Sequence, residues 1–164
     1  MNLLRASAML TGLLAVGAMN TAAADPPPAT ESPMLHHIKG EFDVKLSPQP
    51  PESGSSPAIG RMLIDKRFHG PLDATSVGQM LAHSTATAGS AGYVALEQVS
   101  GSLEGRTGSF VLQHSGRMER GAPTLTVHVV PDSGTGELKG LAGTMTIVID
   151  GGKHYYEFAY SLTP

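Results

Sequence analysis

The sequence predicts an all-β protein with a single domain, an eight-stranded antiparallel β-barrel. From residue 36 onward, apolar and polar residues alternate with the period of two that is typical of strands. Turn-forming segments interrupt this alternation at short intervals, in a chain of 164 residues that contains 20 glycines and 12 prolines. No stretch shows the spacing of an amphipathic helix. These observations together favour consecutive strands joined by short connections, which pair with their neighbours in the antiparallel sense.

The first strand has the clearest alternation. Ile38, Gly40, Phe42, Val44 and Leu46 share one face, and the other face carries four charged residues. One apolar and one charged face are typical of a strand with one buried side. Similar patterns predict eight strands at His36–Leu46, Ile59–His69, Thr75–Ala86, Tyr93–Leu103, Ser109–Met118, Pro123–Val130, Glu137–Ile149 and His154–Leu162.

Closure is predicted because eight strands of about ten residues would leave long unpaired edges in an open sheet. A barrel of eight strands has no edges, and its interior is filled by side chains or holds one small ligand. A two-sheet β-sandwich is the alternative. An outer-membrane barrel is disfavoured, because such barrels carry aromatic girdles and this chain has four Tyr, four Phe and no Trp.

The amino terminus predicts export. Arg5 precedes an apolar run over residues 8–19, and small residues end at Ala24, which is the pattern of a cleaved secretory signal. The apolar run is shorter than the roughly 20 residues that span a membrane. We therefore expect a signal peptide over 1–24, a Pro-rich tether over 25–35 and the barrel domain over 36–164. The mature protein is expected in the periplasm or outside the cell, without a membrane span.

The composition excludes several functional classes. The chain has no cysteine, and therefore no disulfide, thiolate nucleophile or cysteine-based zinc site. Its formal charge of −3 gives no basic surface for nucleic acid. The motifs of P-loop, zincin and serine-nucleophile sites are absent. His36 and His37 are adjacent on a strand and point to opposite faces, so they predict no metal site. No cofactor is expected.

Four residues are candidates for chemistry inside the barrel: Glu97, Tyr93, His114 and Gln113. Tyr93 and Glu97 share a strand face, and His114 turns inward if Phe110 does. A glutamate enclosed in a barrel has its pKa raised by desolvation, which suits acid–base catalysis. The alternative places Glu97 outside, or buried with its hydrogen bonds satisfied by neighbours.

The candidate ligand-binding residues are those expected on the inner wall: Phe42, Tyr93, Glu97, Phe110 and His114. Lys66 shares a face with Met62, Ile64 and Phe68. We expect its ammonium group to extend to the rim of the barrel, where the apolar stem stays covered and the charge reaches water.

Three segments carry a resemblance to a known group of proteins: residues 61–70 (RMLIDKRFHG), 92–116 (GYVALEQVSGSLEGRTGSFVLQHSG) and 130–143 (VPDSGTGELKGLAG). In this order and spacing they resemble a family of small bacterial proteins of unassigned function that is similar to the allene-oxide-cyclase-like barrel. The resemblance covers residues 36–163 and implies an eight-stranded antiparallel barrel. It transfers no activity, because the catalytic residues of the plant cyclase have no one-to-one counterparts here.

Three functions follow as hypotheses. The first is a binding protein that holds a small, mainly apolar ligand in the lumen, since apolar walls with a few polar groups are typical of pockets. The second is a cofactor-free isomerase or cyclase, which orients a reactive substrate by shape and one or two polar groups. The third is a structural barrel that forms a homo-oligomer through its outer faces.

Overall fold

In the computed structural model, which describes residues 34–163, the chain forms a closed antiparallel barrel of eight strands. The predicted signal peptide and nearly all of the predicted tether lie outside the described residues. Across the described part of the chain, no helix is long and apolar enough to cross a membrane. The strands are β1 His36–Gln49, β2 Gly60–Phe68, β3 Leu72–Ser84, β4 Ala91–Leu103, β5 Arg106–Glu119, β6 Ala122–Val129, β7 Leu141–Asp150 and β8 Lys153–Leu162.

Each strand pairs with the next along the chain, and β8 pairs with β1 to close the barrel. The eight-stranded antiparallel barrel is therefore confirmed, and the sandwich alternative is wrong. The predicted alternation of inner and outer residues is also found in the structure. On the inner side, Phe42 pairs with Phe68 and Ile38 pairs with Phe158. The Lys39, Glu41 and Asp43 side chains point outward.

One end of the barrel is packed with aromatic side chains. Phe110 stacks on Phe158 with the ring centroids 5.9 Å apart, and Phe158 stacks on Tyr160 at 5.3 Å. Gly143 provides part of the space, since a Cβ there would lie 2.9 Å from both the Phe158 ring and the Tyr160 Cβ. Close approach of this kind is a common reason for glycine in a strand. The aromatic layer makes this the closed end.

The connection between β6 and β7 covers the closed end. Residues Gly136–Leu138 form one turn of 3₁₀ helix, and the Leu138 side chain is buried against the core. The Glu137 carboxylate accepts hydrogen bonds from the backbone N–H and the hydroxyl of Thr107, each 2.8 Å long. The prediction that the seventh strand starts at Glu137 is therefore wrong: these contacts hold the segment in a turn, and β7 begins at Leu141.

The other end of the barrel is open. Leu46, Met118, Leu125 and Ile149 lie on the lumen side of their strands, yet their side chains are 38% to 66% exposed. At the closed end, by contrast, Phe68, Phe110 and Tyr160 are at most 1% exposed. The lumen is thus filled in one half, and the other half has an apolar wall in contact with solvent. We call this second half the mouth.

Candidate lumen site

The most unusual inner residue is Glu97, near the middle of β4. Its side chain is 0% exposed. One carboxylate oxygen accepts a hydrogen bond from the Ser76 hydroxyl on β3, and the other lies 2.6 Å from the Lys66 ammonium nitrogen. The Nε2 atom of His114 on β5 lies 2.9 Å from that second oxygen. Three strands therefore surround one carboxylate with polar groups, and we call these four residues the lumen cluster.

Lys66 does not reach the rim, so that prediction is wrong. Its side chain is 5% exposed, because the register of β2 places it opposite Val44 and Ser76 in the middle of the barrel. The ammonium nitrogen also lies over two aromatic rings, 5.1 Å from the Phe42 centroid and 5.6 Å from the Phe68 centroid. The aromatic faces and the Glu97 carboxylate together compensate the burial of its positive charge.

A glycine on β3 lets this strand lie close to the part of β4 that carries Glu97. Gly78 pairs with Glu97 on the neighbouring strand, and a Cβ at Gly78 would lie 2.6 Å from the Leu96 carbonyl oxygen and 2.9 Å from the Glu97 Cα. These separations are too short for any other residue without a backbone shift. Gly78 therefore allows β3 and β4 to approach closely where the carboxylate lies.

The environment of Glu97 favours its ionised form. Burial by itself raises the pKa of this carboxyl, but the adjacent His114 ring, the hydrogen bonds from Lys66 and Ser76 and the positive charge of Lys66 lower it, and the pKa falls to about 2. The prediction of a raised pKa is therefore wrong, because desolvation is outweighed by these partners. Of the two alternatives stated for Glu97, the buried and satisfied carboxylate is confirmed.

His114 has a less complete set of partners. Its side chain is 3% exposed, and Nε2 is close to the Glu97 carboxylate. The direction from the ring is poor for a hydrogen bond, so Nε2 has no well-directed partner among the described residues. A buried polar atom without such a partner costs free energy, and in native proteins it often marks a functional position.

Tyr93 lies on the same face of β4 as Glu97, four residues towards the mouth, and is partly buried. Its ring packs directly over Gly116 on β5, where any side chain would collide with it. Burial and the negative charge of Glu97 both raise the pKa of the Tyr93 hydroxyl. Tyr93 therefore remains a neutral hydrogen-bonding group at the wall of the mouth.

The remaining candidate residues lie elsewhere. Phe42 is at the border between the two halves, 5.4 Å from Phe68 and 5.3 Å from His154 between ring centroids. Phe110 is part of the aromatic layer at the closed end, with 1% exposure. Gln113 points to the outer surface, because it adjoins the inward-facing His114 in an alternating strand. The structure thus brings Tyr93, Glu97, His114 and Phe42 to the open side of the core, but not Phe110 or Gln113.

Two members of the lumen cluster, Lys66 and Ser76, were not among the predicted site residues. Lys66 carried a signal, since it is the only charged residue in the inward-facing series of β2. Ser76 carried none, because a serine in a strand is common on either face. Among the residues that the structure describes, no group of three histidine or acidic side chains is placed to hold a metal ion.

Comparison with known proteins places this barrel among others of the same kind. A family model described as "Protein of unknown function (DUF3224)" matches residues 38–160. A crystal structure of a protein with unknown function from that family, from Shewanella oneidensis MR-1, is 50% identical in sequence with a TM-score of 0.74. The similarity covers 80% of this chain and 100% of that one. No curated protein matches the chain.

Proposed function

Because the chain belongs to the DUF3224 family of proteins of unknown function, we propose a function from its site: an exported barrel that binds a small, mainly apolar molecule in the mouth. The apolar part of the ligand packs against the exposed wall. Its single polar end reaches the lumen cluster at the base of the mouth. The role of His114 is to offer Nε2 to that polar end.

The observation that supports this proposal most strongly is a buried charged cluster beneath an apolar surface open to solvent. A buried ion pair is a poor device for stability, because apolar residues of the same volume usually stabilise a core as well or better. Few polar groups at the base of an apolar concavity are, in contrast, the usual composition of a ligand site. The wall of the mouth adds Met62 and Met80, whose flexible side chains adapt to varied apolar shapes.

A thermal-shift screen tests the proposal. The full chain is screened against fatty acids, terpenoids and small aromatic compounds, beside the variants Met80→Trp and Val148→Trp. Met80 faces the mouth, whereas Val148 lies on the outer surface of β7, so the second variant controls for the added indole. Saturation at 100 times the Kd adds about 2.7 kcal/mol of stability, a shift of several degrees. The proposal requires a ligand that stabilises the parent and Val148→Trp but not Met80→Trp; equal shifts in all three, or none, would refute it.

A cofactor-free isomerase or cyclase acting in the mouth is the second candidate. It is favoured by the position of an ionised Glu97 next to the incompletely bonded Nε2 of His114, since a fixed carboxylate and an imidazole nitrogen can act together on a bound substrate. The resemblance to the allene-oxide-cyclase-like barrel that we infer from the sequence motifs would agree with such a role. Glu97→Gln then abolishes turnover and leaves ligand affinity within about threefold. Turnover that survives this replacement excludes the mechanism.

Export is part of the proposal and has its own test. The supporting feature is the amino-terminal pattern that ends at Ala24. Expression of the full chain in its host, followed by fractionation, should place the protein outside the cytoplasm. Amino-terminal sequencing of that material should begin at Asp25. Material that remains in the cytoplasm and begins at Met1 would show that the leader is not processed.

A further inference from the structure

His154 is a further titratable residue at the base of the mouth. It lies on the same inward face of β8 as the buried Tyr156 and is itself partly buried. The register places it opposite Phe42 on β1 and Ile149 on β7. Its imidazole ring packs against the Phe42 ring, with the centroids 5.3 Å apart and an angle of 44° between the planes. The ring is therefore held at the inner wall, next to the residue that borders both halves of the barrel.

His154 differs from the other enclosed histidines in its lack of a carboxylate partner. Four histidines of the described chain are buried or partly buried, and in three of them a ring nitrogen lies within 3.6 Å of a carboxylate oxygen. The three pairs are His36 with Glu104, His69 with Asp43, and His114 with Glu97. Among the residues that the structure describes, neither ring nitrogen of His154 has an acidic or hydrogen-bonding partner. The imidazole therefore keeps its polar atoms available to a molecule in the mouth.

The acidic residues nearest to His154 along the sheet are turned away from it or already paired. Glu41 on β1 and Asp150 on β7 occupy outward-facing positions of the two neighbouring strands. Glu97, the acid of the lumen cluster, lies 2.6 Å from the Lys66 ammonium nitrogen, which compensates its charge. Within the described part of the chain, the base of the mouth therefore holds no unpaired negative charge.

The Phe42 ring connects His154 with the lumen cluster. The Lys66 ammonium nitrogen lies 5.1 Å from the centroid of that ring, and the His154 ring packs against the same side chain. Two basic groups therefore adjoin one aromatic residue at the border of the mouth. An imidazole carries at least one N–H in either protonation state, and a hydrogen bond from it to an anionic oxygen is stronger than one to a neutral acceptor.

From these features we propose that the polar end of the mouth ligand is a carboxylate, and that His154 donates a hydrogen bond to it. The proposal rests on the binding function proposed above and names the ligand class, a monocarboxylic acid with an apolar chain or ring. The ligand supplies to His154 the partner that the other three enclosed histidines find within the chain. A carboxylate has two oxygens and can accept hydrogen bonds from His154 and His114 together.

Calorimetric titration of the full chain with decanoate and with decanol tests the proposal, because the two probes share a tail and differ in the polar end. Decanoate should bind the parent more tightly by about tenfold or more. His154→Phe keeps a ring on Phe42 but removes both nitrogens, so it should weaken decanoate binding by about tenfold and change decanol binding by less than about twofold. His128→Phe is the matched control on the exposed, outward side of β6 and should leave both affinities unchanged.

A second variant guards against loss of the fold in the first. His154→Leu is smaller than the phenylalanine variant and equally apolar, and it should show the same selective loss of decanoate binding. Equal affinity of the parent for both probes would overturn the carboxylate proposal and leave the binding function standing, since the tail would still bind. Equal losses for both probes in the His154 variants would also overturn it, because a purely structural histidine would affect both alike. Binding of neither probe overturns it as well, and the thermal-shift screen then decides the binding function by itself.

Discussion

Lys66 and Glu97 form an ion pair across a strand that separates them. Lys66 belongs to β2 and Glu97 to β4, and β3 runs between them, yet the ammonium nitrogen and the carboxylate oxygen are 2.6 Å apart. On β3, Gly78 lies beside Glu97 and has no side chain, and the Ser76 hydroxyl donates a hydrogen bond to the other carboxylate oxygen. The pair therefore depends on the small residues of β3 as much as on its own charges.

Replacing Gly78 tests this dependence. Gly78→Ala places a methyl group 2.9 Å from the Glu97 Cα and should lower the free energy of unfolding by about 1–3 kcal/mol through overpacking. Gly60→Ala is the matched control on β2, since its nearest contact would be 3.7 Å away. It should change stability by less than about 0.5 kcal/mol. Urea denaturation measures the unfolding free energy of both variants. Equal losses would show that the close approach of Gly78 to β4 is not critical for stability.

Removing one partner of the pair should cost more than removing the charge of both. Lys66→Met leaves an ionised carboxylate buried without its cation, which costs about 3–5 kcal/mol in comparable cases. Adding Glu97→Gln removes the unpaired charge and should restore at least a third of that loss. A double-mutant cycle by denaturant unfolding measures the coupling. Strict additivity of the two replacements would contradict the ion pair as described.

The low pKa of Glu97 makes stability depend on pH in acid. Its pKa lies near 2 in the folded protein and near 4.5 in the unfolded chain, so the unfolded chain takes up the proton first as pH falls. The stabilising contribution is complete above about pH 5 and is lost towards pH 2. The free energy of unfolding should therefore fall more steeply over this range in the parent than in Glu97→Gln. Parallel pH profiles would mean that the pKa of Glu97 is the same in the folded and unfolded states, which would contradict the lowered value.

A substitution at the closed end should lower the stability of the fold without changing ligand affinity in the mouth. Phe110→Leu removes part of a ring that stacks on Phe158, and we expect a loss of about 1–3 kcal/mol in unfolding free energy. The affinity for a mouth ligand, measured by calorimetry below the unfolding temperature, should stay within about twofold. A loss of affinity larger than tenfold would extend the binding site into the aromatic layer.

The fold was predictable because period-two alternation reports directly which residues face inward. This alternation correctly predicted that Ile38 and Phe42 face inward. The number of strands followed from the turn signals that separate consecutive strands. The β6–β7 turn was missed, because the contact of Glu137 with Thr107 joins residues that are 30 positions apart in sequence. Alternation carries no information about such contacts.

The site was only partly predictable for the same reason. Glu97, Tyr93 and His114 could be placed on inner faces from their own strands. Lys66 was expected at the rim, because the depth of a residue along the barrel depends on the register between strands and not on its own strand. The lowered pKa of Glu97 depends on His114, Lys66 and Ser76 together, and two of these three partners were not expected beside it. The direction of that pKa shift could therefore not be predicted from the strand of Glu97 by itself.

The most direct test of the binding proposal is a crystal structure of the protein purified from its own host. We predict continuous non-protein density in the mouth, in contact with Met80 and Tyr93, with a polar end within hydrogen-bond distance of His114 or Glu97. A mouth filled by its own side chains, or occupied by water alone, would contradict the proposal that this half of the lumen is a ligand site.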